Sequence, residues 1–379
     1  MNKKVLVVSS VIAIIVAGAF VYLNNTEKQH GVIRIGAINP ETGDFAAYGT
    51  PVKEALLLAQ KEINAVGGID GKRIELIFED DGGVPRNSVS AFQKLATTDK
   101  VKAVIGPLSS QSCLATAPVA IRNRVVQLST LAATPELSNA GDYVFRLYPS
   151  STIGAKFTAE QSIKLFSPKS VAILHPISGV GMESAKVYEE VALTNNIRVT
   201  NKEQYKDGDT DFRTQLLKIK NTLPDLIFCS AYWVDGANIL KQMVELDLNM
   251  PIVGEDGWNG ALAPLVGREG LKLLYFSDLL FDTSSEGTKA NAFANNYQRE
   301  YNKKPSAYSA TGYDALYLLK AAIEDKKIYE ADAIKAFLYE KSYNGVLGQF
   351  RFDQNGDNTG INMGLFQINE KDESVPVTL

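Results

Sequence analysis

The sequence predicts an α/β protein of two doubly wound parallel-sheet lobes, and three observations carry that prediction. From Val32 onward, short β-branched runs alternate with longer amphipathic stretches, the pattern of parallel strands joined by crossover helices. The alternation falls into two successive series, and 379 residues exceed the size at which one hydrophobic core keeps growing. No Pro-, Gly- or Ser-rich linker separates the series, so the lobes are joined by short connections that act as a hinge.

The N-terminus precedes both series. Asn2-Lys3-Lys4 stands before a low-charge stretch at residues 5–23, which keeps positive charge on the cytoplasmic side and sends the rest of the chain outward. Ala17-Gly18-Ala19 fits a signal cleavage site, whereas Phe20-Val21-Tyr22-Leu23 extends the apolar run toward the ~20 residues that span a bilayer. A cleaved signal peptide and a retained membrane anchor are both open for residues 1–23. Either places the remainder in the periplasm or another extracytoplasmic space, with a tether to the inner membrane in the second case.

The first series has strands at 32–38, 73–78, 103–106 and 125–128, with a helix at 51–65 that takes Thr50 as N-cap and Pro51 as its first residue. The apolar face of that helix is Val52, Ala55, Leu56, Ala59 and Ile63. A second series begins near 144–148 and continues at 171–174, 226–229, 252–253 and 273–276. Helical patterns come next at 293–301 and 308–322, then a hairpin-like 349–353, the turn Asn355-Gly356-Asp357 and a last strand at 361–368. The expected division is lobe 1 at 32–149, lobe 2 at 150–277, lobe 1 again at 278–347, and a segment at 348–379 that completes lobe 2 and the hinge.

Composition narrows the function. Net charge is -4 and the 39 Lys and Arg residues are scattered, which argues against nucleic acid, whose phosphates need a concentrated basic face. Cys113 and Cys229, the two cysteines, fall in different lobes and are expected to be free, buried thiols. His30 and His175 are the two histidines, too few soft ligands for a zinc cluster, although His175 ends a strand and can reach a ligand or a loop. Asp207-Gly208-Asp209-Thr210-Asp211 begins like a calcium loop, but Phe212 and Lys218 stand where glycine and glutamate are required. There is no Gly-x-Ser-x-Gly elbow and no phosphate-binding Gly-Lys loop, so no cofactor, metal or enzymatic chemistry is expected.

In open parallel sheets, ligands bind where loops leave the carboxyl ends of strands. The first such loop runs from Asn39 to Tyr48, whose ring can lie over a ligand. The next, Gly106-Pro107-Leu108-Ser109-Ser110, puts serines at a helix start where free N–H groups attract an anion. Ser129-Thr130-Leu131-Ala132-Ala133-Thr134 offers approachable backbone groups and hydroxyls. In the second lobe, Ser230-Ala231-Tyr232-Trp233 and Glu255-Asp256-Gly257-Trp258 bring aromatics and carboxylates. A buried ligand ammonium needs an acid, Asp256 first and Glu255 as fallback.

These stretches resemble a known family. Ala65-Val66-Gly67-Gly68-Ile69-Asp70-Gly71-Lys72, followed by Glu79-Asp80-Asp81, is similar to the Gly-Gly-Ile and double-Asp signature of the periplasmic binding proteins of the leucine/isoleucine/valine type. Ala103-Val104-Ile105-Gly106-Pro107, Ala133-Thr134-Pro135-Glu136-Leu137 and Gly312-Tyr313-Asp314-Ala315 extend the resemblance from about residue 32 to about 368. It implies the type I periplasmic binding protein fold, whose hinge crosses between lobes three times, with an amino acid or related small molecule held in the cleft and delivered to the permease of an ABC transporter. By position, Ser110 resembles the serine that receives the ligand carboxylate, with Ser109, Ala133 and Thr134 beside it. Tyr232 resembles the aromatic after the middle strand of the second lobe, Asp256 the acid that meets the ammonium, and Tyr48 the aromatic beside the ligand side chain.

The sequence also departs from that pattern. Val180-Gly181 stands where an aromatic precedes the glycine, Ala133-Thr134-Pro135 is a shortened form, and Gly83 and Ser109 occupy the positions of the first-lobe disulfide. The ligand need not be leucine, and a ligand-binding ectodomain or sensor for amides, urea or aromatic acids is the alternative function.

Overall fold

The computed structural model describes residues 31–258 and 262–378; the stretch 5–23 and His30 lie outside the described residues. In chain order, β1 (Val32–Ile38), α1 (Ala46–Ala65), β2 (Arg73–Glu79), α2 (Pro85–Thr97), β3 (Ala103–Ile105), α3 (Ser110–Asn123), β4 (Val126–Ser129) and β5 (Val144–Arg146) build a five-stranded sheet, order β2-β1-β3-β4-β5, parallel throughout. The pattern repeats in α4 (Ser151–Phe166), β6 (Ser170–Pro176), α5 (Gly179–Thr194), β7 (Arg198–Tyr205), α6 (Arg213–Thr222), β8 (Leu226–Cys229), α7 (Trp233–Glu245), β9 (Ile252–Gly254), α8 (Ala263–Leu271) and β10 (Leu274–Leu279). Then come α9 (Lys289–Tyr301), α10 (Ala307–Lys326), α11 (Ala331–Glu340), the small antiparallel pair β11 (Tyr343–Asn344) and β12 (Gln349–Phe350), and finally β13 (Met363–Ile368) and β14 (Ser374–Pro376). The second sheet is seven-stranded, order β14-β13-β10-β9-β8-β6-β7, with β13 and β14 its antiparallel edge.

Each sheet is covered on both faces, as its apolar central strands require. One face of the first sheet packs Ile35, Ile105 and Leu128 against Val52 and Leu56 of α1, Phe293 of α9, Leu316 of α10 and Ile334 of α11. The other packs Ile38 and Val104 against Phe92 of α2 and Val119 of α3. In the second sheet, Ile227 and Ile252 meet Leu216 of α6 and Leu240 of α7, while Ile173 and Phe228 meet Ala159 of α4 and Tyr188 of α5. Cys113 and Cys229 are buried and unbridged. The fold is the two-lobed, doubly wound α/β fold expected, and the chain passes between sheets three times: from β5 to α4, from β10 to α9, and from β12 to β13.

Two local readings are corrected. Helix α1 begins at Ala46, not Pro51, so Pro51 sits inside it and Phe45 occupies the N-cap position. The proline and Thr50 imitate a helix start, but the loop before them is pinned by Asp80, whose carboxylate accepts from Glu41 N (2.9 Å), Gly82 N (2.9 Å) and Thr42 Oγ1 (2.9 Å), which lets the helix begin earlier. Asp81 does the same for the next turn, accepting from Gly83 N (2.9 Å) and Ser88 Oγ (2.6 Å). The second correction concerns residues 144–148, which close the first sheet as β5 beside β4 instead of opening the second series. Their apolar pattern carries no information about which sheet they join.

The turn Asn355-Gly356-Asp357 docks on the edge of β5. Gly356 has φ 76°, and a Cβ there would meet Val144 O at 2.2 Å, so only glycine fits. Arg146, 1% exposed, donates to Asp357 Oδ1 (2.6 Å), Thr134 O (2.6 Å) and Ser138 Oγ (2.6 Å). Asn358 Nδ2 donates to Leu147 O (2.9 Å). Asp314 in the Gly-Tyr-Asp motif is structural as well: it accepts from Val346 N (2.8 Å) and Leu347 N (3.0 Å), fastening the chain that leaves α11.

Candidate ligand-binding cleft

The carboxyl ends of the parallel strands of both sheets open onto one cleft. From the first sheet's side come Phe45 and Tyr48 of the α1 start, Leu108, Ser109 and Ser110 after β3, Ala133 after β4, and Tyr308 of α10. From the second come Ser151 and Gly154 of α4, Ser178 and Gly181 around the α5 start, Ser230 and Tyr232 after β8, Glu255, Asp256 and Gly257 after β9, and Met363 of β13.

The anion-facing corner is fully prepared. Ser109 caps α3 by accepting from Ser112 N (3.3 Å), and Ser110 Oγ accepts from Ala133 N (3.2 Å) and Thr134 N (3.2 Å). With both lone pairs engaged, the Ser110 hydroxyl proton is left to donate outward. Thr134 stands behind this wall rather than in it: its hydroxyl donates to the Glu136 carboxylate, its carbonyl holds Arg146, and its amide reaches Ser110.

Aromatic rings close the cleft. Tyr48 Oη donates to Gly257 O (3.1 Å) and accepts from Trp233 N (3.5 Å), so one side chain of the first lobe is bonded to the backbone of the second. Its ring meets Tyr232 edge-on at 6.3 Å and Tyr308 at 5.4 Å, and Phe45 meets Tyr232 at 5.7 Å. Tyr48 is therefore a bridge between lobes, a role that the linear order of its loop did not disclose.

The opposite corner is acidic. Asp256 opens a 3₁₀ turn after β9; Tyr308 Oη donates to its carbonyl (2.7 Å) and Tyr148 Oη donates to Asp278 Oδ1 (2.9 Å). Burial pushes the Asp256 carboxyl well above its ordinary range, Asp278 and Glu255 push it further, and the Tyr148 hydroxyl opposes them. Glu255 is pushed up to about 7 by burial, against the pull of the Ser184 and Ser230 hydroxyls. Among the described residues no lysine, arginine or histidine lines the cleft. His175 is buried and bonded to the carbonyl of Pro176 (2.9 Å), away from the lining. Among the described residues no group of three or more metal-ligating side chains forms, and no helix is long and apolar enough to cross a membrane.

Of the residues singled out in the sequence, Tyr48, Ser109, Ser110, Ala133, Tyr232 and Asp256 meet around this cleft. Tyr148, Ser151, Tyr308 and Met363 were missed. A signal existed for one of them, since Pro149-Ser150-Ser151 repeats the strand-end, serine-capped helix start of Ser109-Ser110, with Ser150 Oγ accepting from Ile153 N (3.4 Å).

Residues 32–373 match the periplasmic binding protein family. The Leu/Ile/Val-binding protein BraC3 of Rhizobium johnstonii is 29% identical over 341 residues, covering 89% of this chain and 92% of that protein. The branched-chain amino acid transporter substrate-binding protein LivJ of Streptococcus pneumoniae, solved in complex with isoleucine, has a TM-score of 0.83 at 29% identity, covering 91% of this chain and 100% of its own. A solute-binding protein of an ABC transporter from Rhodopseudomonas palustris, solved with 3,4-dihydroxybenzoic acid, shares the fold with a TM-score of 0.81 at 21% identity, over 90% of this chain and 94% of its own. The chain belongs to the periplasmic binding protein family, is similar within it to the Leu/Ile/Val-binding proteins, and is a solute-binding protein rather than an enzyme.

Proposed function

We propose that this chain captures an α-amino acid between its lobes, outside the cytoplasm, and delivers it to the permease of an ABC transporter. Residues 5–23 serve as export signal or as tether in this reading. The observation that carries it is the pairing of two unlike corners across one cleft: the Ser110 hydroxyl at the N-terminus of α3, and the Asp256 carboxylate. The first suits a ligand carboxylate and the second an ammonium, the pair of opposite charges that amino acids share. Tyr48 and Tyr232 enclose the ligand, with Ser109 and Ala133 flanking its carboxylate and Thr134 holding Ser110 in place. The names of the relatives make leucine, isoleucine and valine the first ligands to try.

Calorimetric titration of the chain with the common amino acids tests the proposal. Saturable binding that is lost when either the carboxylate or the ammonium of the ligand is blocked supports it. Binding of amides, urea or aromatic acids in the absence of any amino-acid binding refutes it and favours the sensor reading.

A further inference from the structure

The amino-acid reading uses one carboxylate of the cleft and leaves a second without a task. Glu255 follows β9, is 7% exposed and lines the cleft beside Asp256. The hydroxyls of Ser184 and Ser230 face its carboxylate, yet Oε2 completes no hydrogen bond, and neither does the hydroxyl of Ser184 or of Ser151. Ser151 belongs to the first turn of α4 and lines the same cleft. Gly154, one turn on, lets this acid approach closely: a Cβ there would stand 3.3 Å from Glu255 Oε1, a tight contact.

A buried acceptor without a donor is unfavourable, and an all-hydrocarbon ligand side chain packed against it leaves it so. No described residue of the cleft neutralises the acid either. The mouth of the cleft, like its interior, is lined by no described lysine, arginine or histidine, and Asp44, Asp207 and Asp235 gather there. A cleft lined with one sign of charge concentrates ligands of the opposite sign.

We infer that the bound amino acid carries a hydrogen-bond donor on its side chain, cationic in preference to neutral, and that Glu255 Oε2 receives it while Asp256 keeps the α-ammonium. The inference rests on the amino-acid reading of the cleft and narrows it to a class of ligand that hydrocarbon side chains do not satisfy.

The test is calorimetric titration of the full chain with ornithine, lysine, glutamine, methionine and leucine. Donor-bearing ligands are expected to bind at least about tenfold tighter than methionine and leucine, with the cations first, as one hydrogen bond to a charged group allows. Glu255→Met removes that margin, whereas Ser110→Ala weakens every ligand alike. Glu255→Gln keeps shape and one acceptor oxygen but no charge, so it weakens ornithine and lysine and spares glutamine; it decides the matter if Glu255→Met does not fold. Methionine or leucine binding as tightly as the donors, or a margin that survives both substitutions, overturns the inference and leaves the amino-acid reading standing. Binding of none of the five overturns the inference, and the amino-acid reading falls with it only if the other common amino acids fail to bind as well.

Discussion

The two walls of the cleft follow opposite plans. On the first-lobe wall, the polar atoms around Ser109 and Ser110 already have partners, and no acid stands among them. On the second-lobe wall, Asp256 lies close to both Glu255 and Asp278, and Glu255 and Asp256 are each disfavoured in the charged form by burial. One wall keeps a single hydroxyl proton to offer a ligand; the other is eased in part by the Tyr148, Ser184 and Ser230 hydroxyls and further by positive charge. A ligand that supplies that charge binds the closed arrangement better than the open one, which is the differential affinity that closure requires.

Breaking the acidic wall should have the largest effect. Asp256→Ala is expected to weaken amino-acid binding by about 3–5 kcal/mol, the cost of leaving a buried ligand ammonium unpaired. Calorimetry showing a change of only a few-fold would move the ammonium to another acid. Next comes the pH dependence of the same wall without ligand. Glu255 binds its proton more tightly folded, at about 7, than its ordinary value near 4.5. Its stabilising contribution is complete below about pH 4.5 and fades as pH rises through 7, so the melting temperature falls over that window. Glu255→Gln should remove about 3 kcal/mol of that fall. Identical pH profiles for wild type and variant would refute the assignment.

The first-lobe wall should respond less. Ser110→Ala is expected to lower affinity by about 1.5–3 kcal/mol, as for a hydrogen bond to a charged group, and to lower the ligand-free melting point as well, because the Ala133 and Thr134 amides lose their acceptor. If only some amino acids weaken, the carboxylate does not dock there. The smallest effect belongs to the bridge between the walls. Tyr48→Phe loses the bond to Gly257 O and should reduce affinity by about fivefold, near 1 kcal/mol, through the closed state alone. Small-angle scattering in saturating ligand should still report the compact form.

The sequence disclosed what local chemistry controls. Strands ending in Gly106-Pro107 or Cys229-Ser230 announce their own carboxyl ends, so Ser110, Tyr232 and Asp256 were found from position alone. Residues delivered to the cleft by distant pairing were not. Tyr148 arrives there because β5 closes the first sheet, Met363 because β13 runs antiparallel to β10, and Tyr308 because α10 packs back on α1. None of those pairings leaves a local mark. The false helix start at Pro51 has the same origin, since the tether that lets α1 begin at Ala46 comes from Asp80, beyond β2.

The docking of the Asn355–Asp357 turn on β5 also governs how the lobes can move. Arg146 and Asn358 lace the first crossing to the third, one through Asp357 and the other through Leu147 O. Two cords bound side by side resist sliding and twisting against each other more than either does alone. The register of the two strands of chain that join the lobes is thus set by a buried guanidinium outside the cleft lining.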